Sequence, residues 1–192
     1  MPELLWTIVI PVKGTDAAKS RLHATRELAR AIAQDTVEIA RVVAPVVVVT
    51  AASANDFPGA SVIADPGTGL DGAIAAGLAA TDGPVAVLLG DLPALQPEEL
   101  ADALRRASLL DRSFVPDADG TGTTLIASTT DHAPAFGGGS AERHRAAGYV
   151  ALEVSADSGL RRDVDTREQL EALGERLGAR TRAVLLEQSW RD

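Results

Sequence analysis

The chain has 192 residues, 46% of them hydrophobic and 23% charged, which is ordinary for a soluble globular protein and enough for one domain with a substantial core. With no cysteine, a disulfide framework, a thiolate zinc site and a cysteine nucleophile are excluded. A net charge of −9 and only 3% aromatic residues argue against nucleic acid or an anionic membrane as partner. The longest apolar runs of about eight residues fall well short of a bilayer span. Met1 to Arg21 lacks the order of a signal peptide, so a cytoplasmic protein is expected.

In chain order, Leu4–Ile10, Val46–Ala51, Ser61–Ala64 and Val85–Leu89 are short aliphatic runs rich in β-branched residues. Continuous apolar runs of that length predict strands covered on both faces, as in a parallel sheet. Between them, Thr25–Val43 carries an apolar stripe through Leu28, Ile32, Val37, Ile39, Ala40 and Val43, and Leu70–Ala80 is an Ala-rich helix. Pro97 opens a third helix bearing Leu100, Leu104 and Leu109. Ser113–Pro116 and Thr124–Ser128 predict two strands joined by the turn-prone Asp117–Gly122. A Gly-rich loop then leads to a short helix from Ser140, and Tyr149–Val154 predicts a further strand. Thr166 and Gln169 form a capping box, and Gly178 divides the last helical stretch. The expected fold is α/β: three layers, with a mainly parallel central sheet and helices on both faces. No linker or repeat divides the chain, so 1–192 is one domain.

Four segments are candidates for chemistry. The first, IPVKGTDAAKSRL from Ile10 to Leu22, contains both lysines of the protein, Lys13 and Lys19, followed by Arg21. Residues 13 to 26 carry a local charge of +3 on an acidic protein. Such a loop after the first strand suits a polyanionic small molecule, although a solvated connector accounts for it equally. The second is Leu88-Leu89-Gly90-Asp91-Leu92-Pro93, with a carboxylate directly after a strand. In open α/β sheets ligands bind beyond the carboxyl ends of the strands. A second carboxylate from Asp163 or Asp165 could converge on Asp91, the other being turned to the opposite face of an extended segment. Magnesium commonly takes one or two carboxylates and completes its shell with water and phosphate.

The third is Asp65-Pro66-Gly67-Thr68-Gly69-Leu70-Asp71-Gly72, where Asp65 could accept from a base edge and Gly67 and Gly69 permit close backbone approach. The fourth joins Gly120-Thr121-Gly122-Thr123-Thr124 to Phe136-Gly137-Gly138-Gly139-Ser140, whose hydroxyls and amides suit a second phosphate or a carboxylate. Turn and cap chemistry explains both segments as well. His23, His132 and His144 have no metal-like spacing, and a histidine beside arginines, as at 144, reads as a surface residue.

These segments in this order resemble nucleotidyltransferases of the glycosyltransferase-A-like (nucleotide-diphospho-sugar transferase-like) class. They are most similar to the 2-phospho-L-lactate and phosphoenolpyruvate guanylyltransferases of coenzyme F(420) biosynthesis. The resemblance spans nearly the whole chain, through IPVKGTDAAKSRL, DPGTGL, GDLPAL, DGTGTT, FGGGS, GLRRDVDT and the closing GARTRAVL. Asp71 departs from it, standing where many relatives carry Asn.

The resemblance implies a magnesium-dependent transfer of GMP from GTP to a small phosphorylated acid, with pyrophosphate released. It implies that Lys13, Lys19 and Arg21 hold the triphosphate and that Asp65 and Gly67–Gly69 border the nucleotide. Asp91 with Asp163 or Asp165 would hold Mg²⁺, and Thr123, Thr124, Gly137 and Ser140 would hold the acid. Residues 1–110 would then form the nucleotide half, and 111–192 the half that binds the acceptor and completes the metal site. Sequence does not choose between phosphoenolpyruvate and phospholactate; an Ala-, Arg- and Gly-rich, Lys-poor composition fits a GC-rich bacterial genome, and only that analogy leans to the former. The same fold with another nucleotide and a molybdopterin or sugar-phosphate acceptor, or a non-catalytic nucleotide-binding module, is the alternative. Oligomeric state stays open, with a homodimer among the options.

Overall fold

The computed structural model describes residues 5–12 and 26–189. Along the chain come β1 (Thr7–Val12), α1 (Arg26–Val43), β2 (Val46–Thr50), β3 (Ser61–Ala64), α2 (Leu70–Ala79), β4 (Val85–Leu88) and α3 (Pro97–Ala107). They are followed by β5 (Arg112–Pro116), β6 (Thr123–Ser128), α4 (Ser140–Ala146), β7 (Val150–Ala151), α5 (Arg167–Ala172) and α6 (Ala179–Ser189). The strands form one sheet in the order β3-β2-β1-β4-β6-β5-β7. All neighbouring pairs are parallel except those made by β6, which runs against both β4 and β5.

Alternation along each strand builds the three layers. Ile8 and Ile10 of β1 pack into the cluster that holds α1 and α3, whereas Val9 between them packs with Ile74 of α2 on the opposite face. A third cluster joins Leu28 and Ile32 of α1 to Val164, Leu170 of α5 and Leu177. The runs of β1, β2 and β4 are strands because both of their faces are covered, which is the expected reason, whereas β3 lies at the sheet's edge and is only partly buried, with Ser61 and Ala64 exposed.

Three element boundaries also shift. β1 starts at Thr7 rather than Leu4, and Leu5 projects into solvent at 87% exposure. α3 ends at Ala107, with Ser108 as its C-cap, so Leu109 falls past the buried stripe and is 74% exposed. Of the predicted strand Tyr149–Val154, only Val150–Ala151 pairs, beside β5 at the sheet's edge.

The topology sets where a ligand can sit. From β1 the chain crosses outward to β2 and β3, then returns to the other side of β1 as β4. The reversal opens a crevice between the carboxyl ends of β1 and β4. Because β6 is antiparallel, its first residues lie beside the last residues of β4, in the pairing Leu88↔Leu125. The start of β6, the end of β5 and the carboxyl ends of β1 to β4 therefore share one edge.

Candidate active site

The segment after β4 is pinned from several directions. The Leu89 N–H donates to the Thr124 carbonyl at 2.9 Å, and the Val164 N–H donates to the Asp91 carbonyl at 3.2 Å. The Leu92 N–H donates to the Thr36 hydroxyl at 3.1 Å, a buried bond reaching across from α1. The Gly178 N–H donates to the Pro93 carbonyl at 2.7 Å. Gly159 approaches so closely that a β-carbon there would lie 1.9 Å from the Ala94 carbonyl oxygen, so no side chain fits.

The Asp91–Val164 bond brings the carboxylates together. The Asp163 carboxyl is pushed up to about 7, first by burial, then by the negative charge of Asp91, and less by Asp165 and Asp117. Asp163 thus feels Asp91 more strongly than it feels Asp165, two residues away. The backbone of Asp165 serves helix capping: its N–H and that of Thr166 both donate to the Gln169 side chain, at 2.8 and 3.0 Å. The expected capping box at Thr166 is present.

Two acidic groups held together and partly shielded from water resist being charged at once, and a divalent cation between them offsets that cost. Among the described residues, no group of three or more metal-ligating side chains is assembled. A pair suits magnesium, which keeps several positions for water and phosphate. The donor set therefore fits such an ion.

Lys13, Lys19 and Arg21 lie outside the described residues; β1 ends at Val12, directly before them. Asp65 continues the edge after β3, and its side chain accepts the Gly67 N–H at 2.8 Å in an exposed turn. Gly67 and Gly69 have φ of 75° and 87°, and Gly69 is the N-cap of α2.

The fourth segment is assembled by two arginines. Arg161 donates from Nε to the Pro116 and Asp117 carbonyls at 3.2 and 3.1 Å, and from Nη2 to Asp117 at 2.7 Å. The Asp117 carboxylate accepts from the N–H groups of Thr121 and Gly122, closing the predicted turn. Arg143 donates to the carbonyls of Ala135, Phe136 and Gly138 and so shapes the glycine loop. The Ala141 N–H donates to the Thr121 carbonyl and ties the two loops together. Gly137 and Ser140 are joined by a bond from the Ser140 N–H to the Gly137 carbonyl at 3.0 Å.

Thr123 and Thr124 differ in use. Thr124 is wholly buried and donates to the Leu160 carbonyl at 2.6 Å, so its hydroxyl braces the segment before Asp163. Thr123 is also nearly buried, but its hydroxyl meets Nδ1 of His144 at 2.9 Å. His144 corrects the reading of a surface histidine: it is fully buried, with the rings of Phe136 and Tyr149 at 5.3 Å and Phe114 at 5.9 Å. Burial, and secondly the adjacent Arg143, push its pKa down to about 4. The signal was in the spacing. Ser140, Ala141 and His144 share the inner face of α4, while Glu142, Arg143 and Arg145 face out.

Residues 6–173 match the family model described as guanylyl transferase CofC like. A phosphoenolpyruvate guanylyltransferase of Streptomyces coelicolor is 47% identical over 201 residues, covering 93% of this chain and 95% of its own length. Among solved structures, a candidate nucleotide-diphospho-sugar transferase from Desulfovibrio desulfuricans G20 superposes with a TM-score of 0.68 at 20% identity, over 96% of this chain and 95% of that one. A Mycobacterium tuberculosis protein solved in complex with manganese gives a TM-score of 0.60 at 20% identity, covering 88% of this chain and 97% of that one. The two structural likenesses bear on the fold, which is that of nucleotidyl and nucleotide-diphospho-sugar transferases. The family match and the identity to the curated relative settle membership: this chain belongs to the CofC-like guanylyl transferase family.

Proposed function

We propose that the chain transfers GMP from GTP to phosphoenolpyruvate in coenzyme F(420) biosynthesis, in the cytoplasm. The observation that carries this reading is the carboxylate pair Asp91 and Asp163, held at the strand edge where β6 also presents Thr123. The activity named for the 47% identical relative supports the choice of substrates.

In the reaction an oxygen of the phosphoenolpyruvate phosphate attacks the α-phosphorus of GTP. The bond from that phosphorus to the bridging oxygen of the β-phosphate breaks, giving enolpyruvyl-diphospho-guanosine and pyrophosphate. The attacking phosphate is already ionised at neutral pH, so no side chain has to remove a proton. The difficulty is bringing two anions together and stabilising the charge on the departing pyrophosphate.

Asp91 and Asp163 are the groups that would hold Mg²⁺, which when bound supplies positive charge to the phosphate oxygens. The manganese complex of the M. tuberculosis neighbour supports a divalent ion. Lys13, Lys19 and Arg21 are assigned to the triphosphate on sequence and charge, and Asp65 with Gly67 and Gly69 to the border of the nucleotide. Thr123, Gly137 and Ser140 are assigned to the acid. The nucleotide is thus given to residues 1–110, and the acceptor to residues 111–192.

Incubation with GTP, Mg²⁺ and each candidate acid, with pyrophosphate followed, tests the reading. Release with phosphoenolpyruvate, and not with ATP, CTP or UTP in place of GTP, is the expected result. Release only with 2-phospho-L-lactate would change the substrate, and release with neither acid would overturn the proposal.

A further inference from the structure

The hydrogen-bond partners of His144 determine its protonation site. The Ala135 N–H donates to Nε2 at 3.0 Å, so that nitrogen must be the bare acceptor. A neutral imidazole carries one proton, which then lies on Nδ1, facing the Thr123 hydroxyl at 2.9 Å. Thr123 Oγ1 is the acceptor in that bond, and its own proton must point elsewhere. The ring has little freedom to change this, enclosed by Phe114, Phe136 and Tyr149. The low pKa of His144 agrees with a neutral ring throughout the physiological range.

We infer that His144 is a positioning residue that turns the Thr123 hydroxyl into an obligate hydrogen-bond donor toward an anionic oxygen of the acid substrate. The inference rests on the assignment of the acid to the start of β6 and deepens it. Each link has a defined source: α4 carries the imidazole, the glycine loop supplies the Ala135 N–H that fixes its tautomer, and β6 carries the hydroxyl. A hydroxyl that could rotate to accept would face a carboxylate or phosphate with its lone pairs part of the time. One locked as a donor does not.

Two substitutions separate the roles of the ring nitrogens. In His144→Asn the amide nitrogen replaces Nδ1 as donor to Thr123. In His144→Gln the amide oxygen reaches the Nε2 position and keeps the Ala135 bond, but the donor to Thr123 is lost. Wild-type turnover of GTP with phosphoenolpyruvate is measured first, and its absence overturns the functional reading and this inference with it.

Given turnover, Thr123→Val should raise the KM for phosphoenolpyruvate about tenfold to a hundredfold, and His144→Gln, which frees the hydroxyl without removing it, should raise it by less. The KM for GTP should stay within about twofold, and His144→Asn should stay near wild type in both. The double variant Thr123→Val/His144→Gln should be no worse than Thr123→Val alone, because the two act through one bond. Nitrogen NMR of the wild-type ring should show the Nδ1–H tautomer from pH 6 to 8. An Nε2–H tautomer, or an unmoved phosphoenolpyruvate KM in Thr123→Val, overturns the inference alone and leaves the guanylyl transfer standing. A rise in both KM values together would mean general loosening of the fold and would also overturn it.

Discussion

Asp91 and Asp163 lie 72 positions apart in sequence and meet because one backbone bond, from the Val164 N–H to the Asp91 carbonyl, joins their segments. Asp91→Asn keeps the shape and removes the charge that a cation would need. It should cut kcat/KM by about 10²–10³, the typical effect of removing one electrostatic interaction that stabilises a transition state. The thermal melt should stay within a few degrees of wild type. Near-normal turnover would remove Asp91 from the metal site. Lys13→Ala should fall in the same range if the first loop holds the triphosphate.

His144 also predicts a pH dependence of stability. Its folded pKa of about 4 lies below the ordinary 6.5, so the unfolded chain binds the proton more readily. The contribution of the neutral ring is complete above pH 6.5 and is lost as pH falls toward 4. Its full size is on the order of 3 kcal/mol. Urea midpoints of wild type and His144→Asn, measured between pH 7.5 and 4.5, should converge at the acid end. Parallel curves would contradict a neutral buried ring.

At the scale of elements, α1 does more than cover the sheet. Thr36 donates to the Ile32 carbonyl at 3.0 Å within the helix and accepts the Leu92 N–H, locking the segment that carries Asp91. Beside it in sequence, the buried Asp35 accepts from the Thr181 N–H and hydroxyl at 2.8 and 2.7 Å and from the Arg180 N–H, capping α6. Thr36→Val leaves the Leu92 N–H buried without an acceptor, at a cost of about 1–3 kcal/mol. Amide exchange at Leu92 should quicken and kcat should fall, whereas Thr36→Ser should restore both. Unchanged Leu92 protection would show that this bond does not hold the loop.

The parts of these elements that sequence made legible are the locally determined ones. Aliphatic runs, the Thr166–Gln169 capping box and the Asp117–Gly122 turn each follow from neighbours a few residues away. The reach of Thr36 to Leu92 and of Asp35 to Thr181 depends on packing between distant segments, and no period or motif encodes it. The buried ring of His144 was missed for a related reason. Its charged neighbours dominate a linear reading, while the i, i+1, i+4 spacing on α4 puts it inside. The convergence of Asp91 on Asp163 was foreseeable as chemistry, and the fold supplies it by joining their two segments.

On the scale of the whole molecule, residues 1–110 and 111–192 share one sheet. β4, from residues 1–110, pairs with β6, from residues 111–192, through four consecutive residues from Val85↔Ser128 to Leu88↔Leu125. Leu125 and Ile126 of β6 are fully buried, one in each of the two clusters flanking the sheet. A chain cut after residue 110 would expose the hydrogen-bonding edge of β4 along with apolar side chains on both faces. It would also lose Val164, whose N–H holds the Asp91 carbonyl. The intact protein should therefore unfold as one unit, with tryptophan fluorescence and far-UV circular dichroism giving coincident denaturant transitions. Residues 1–110 expressed alone should lack a cooperative transition, and so should residues 111–192, while mixing them should restore one. A fragment 1–110 that unfolds cooperatively by itself would show that this part folds independently. Residues 111–192 would then have to be understood as docking onto a finished scaffold instead of completing an unfinished sheet.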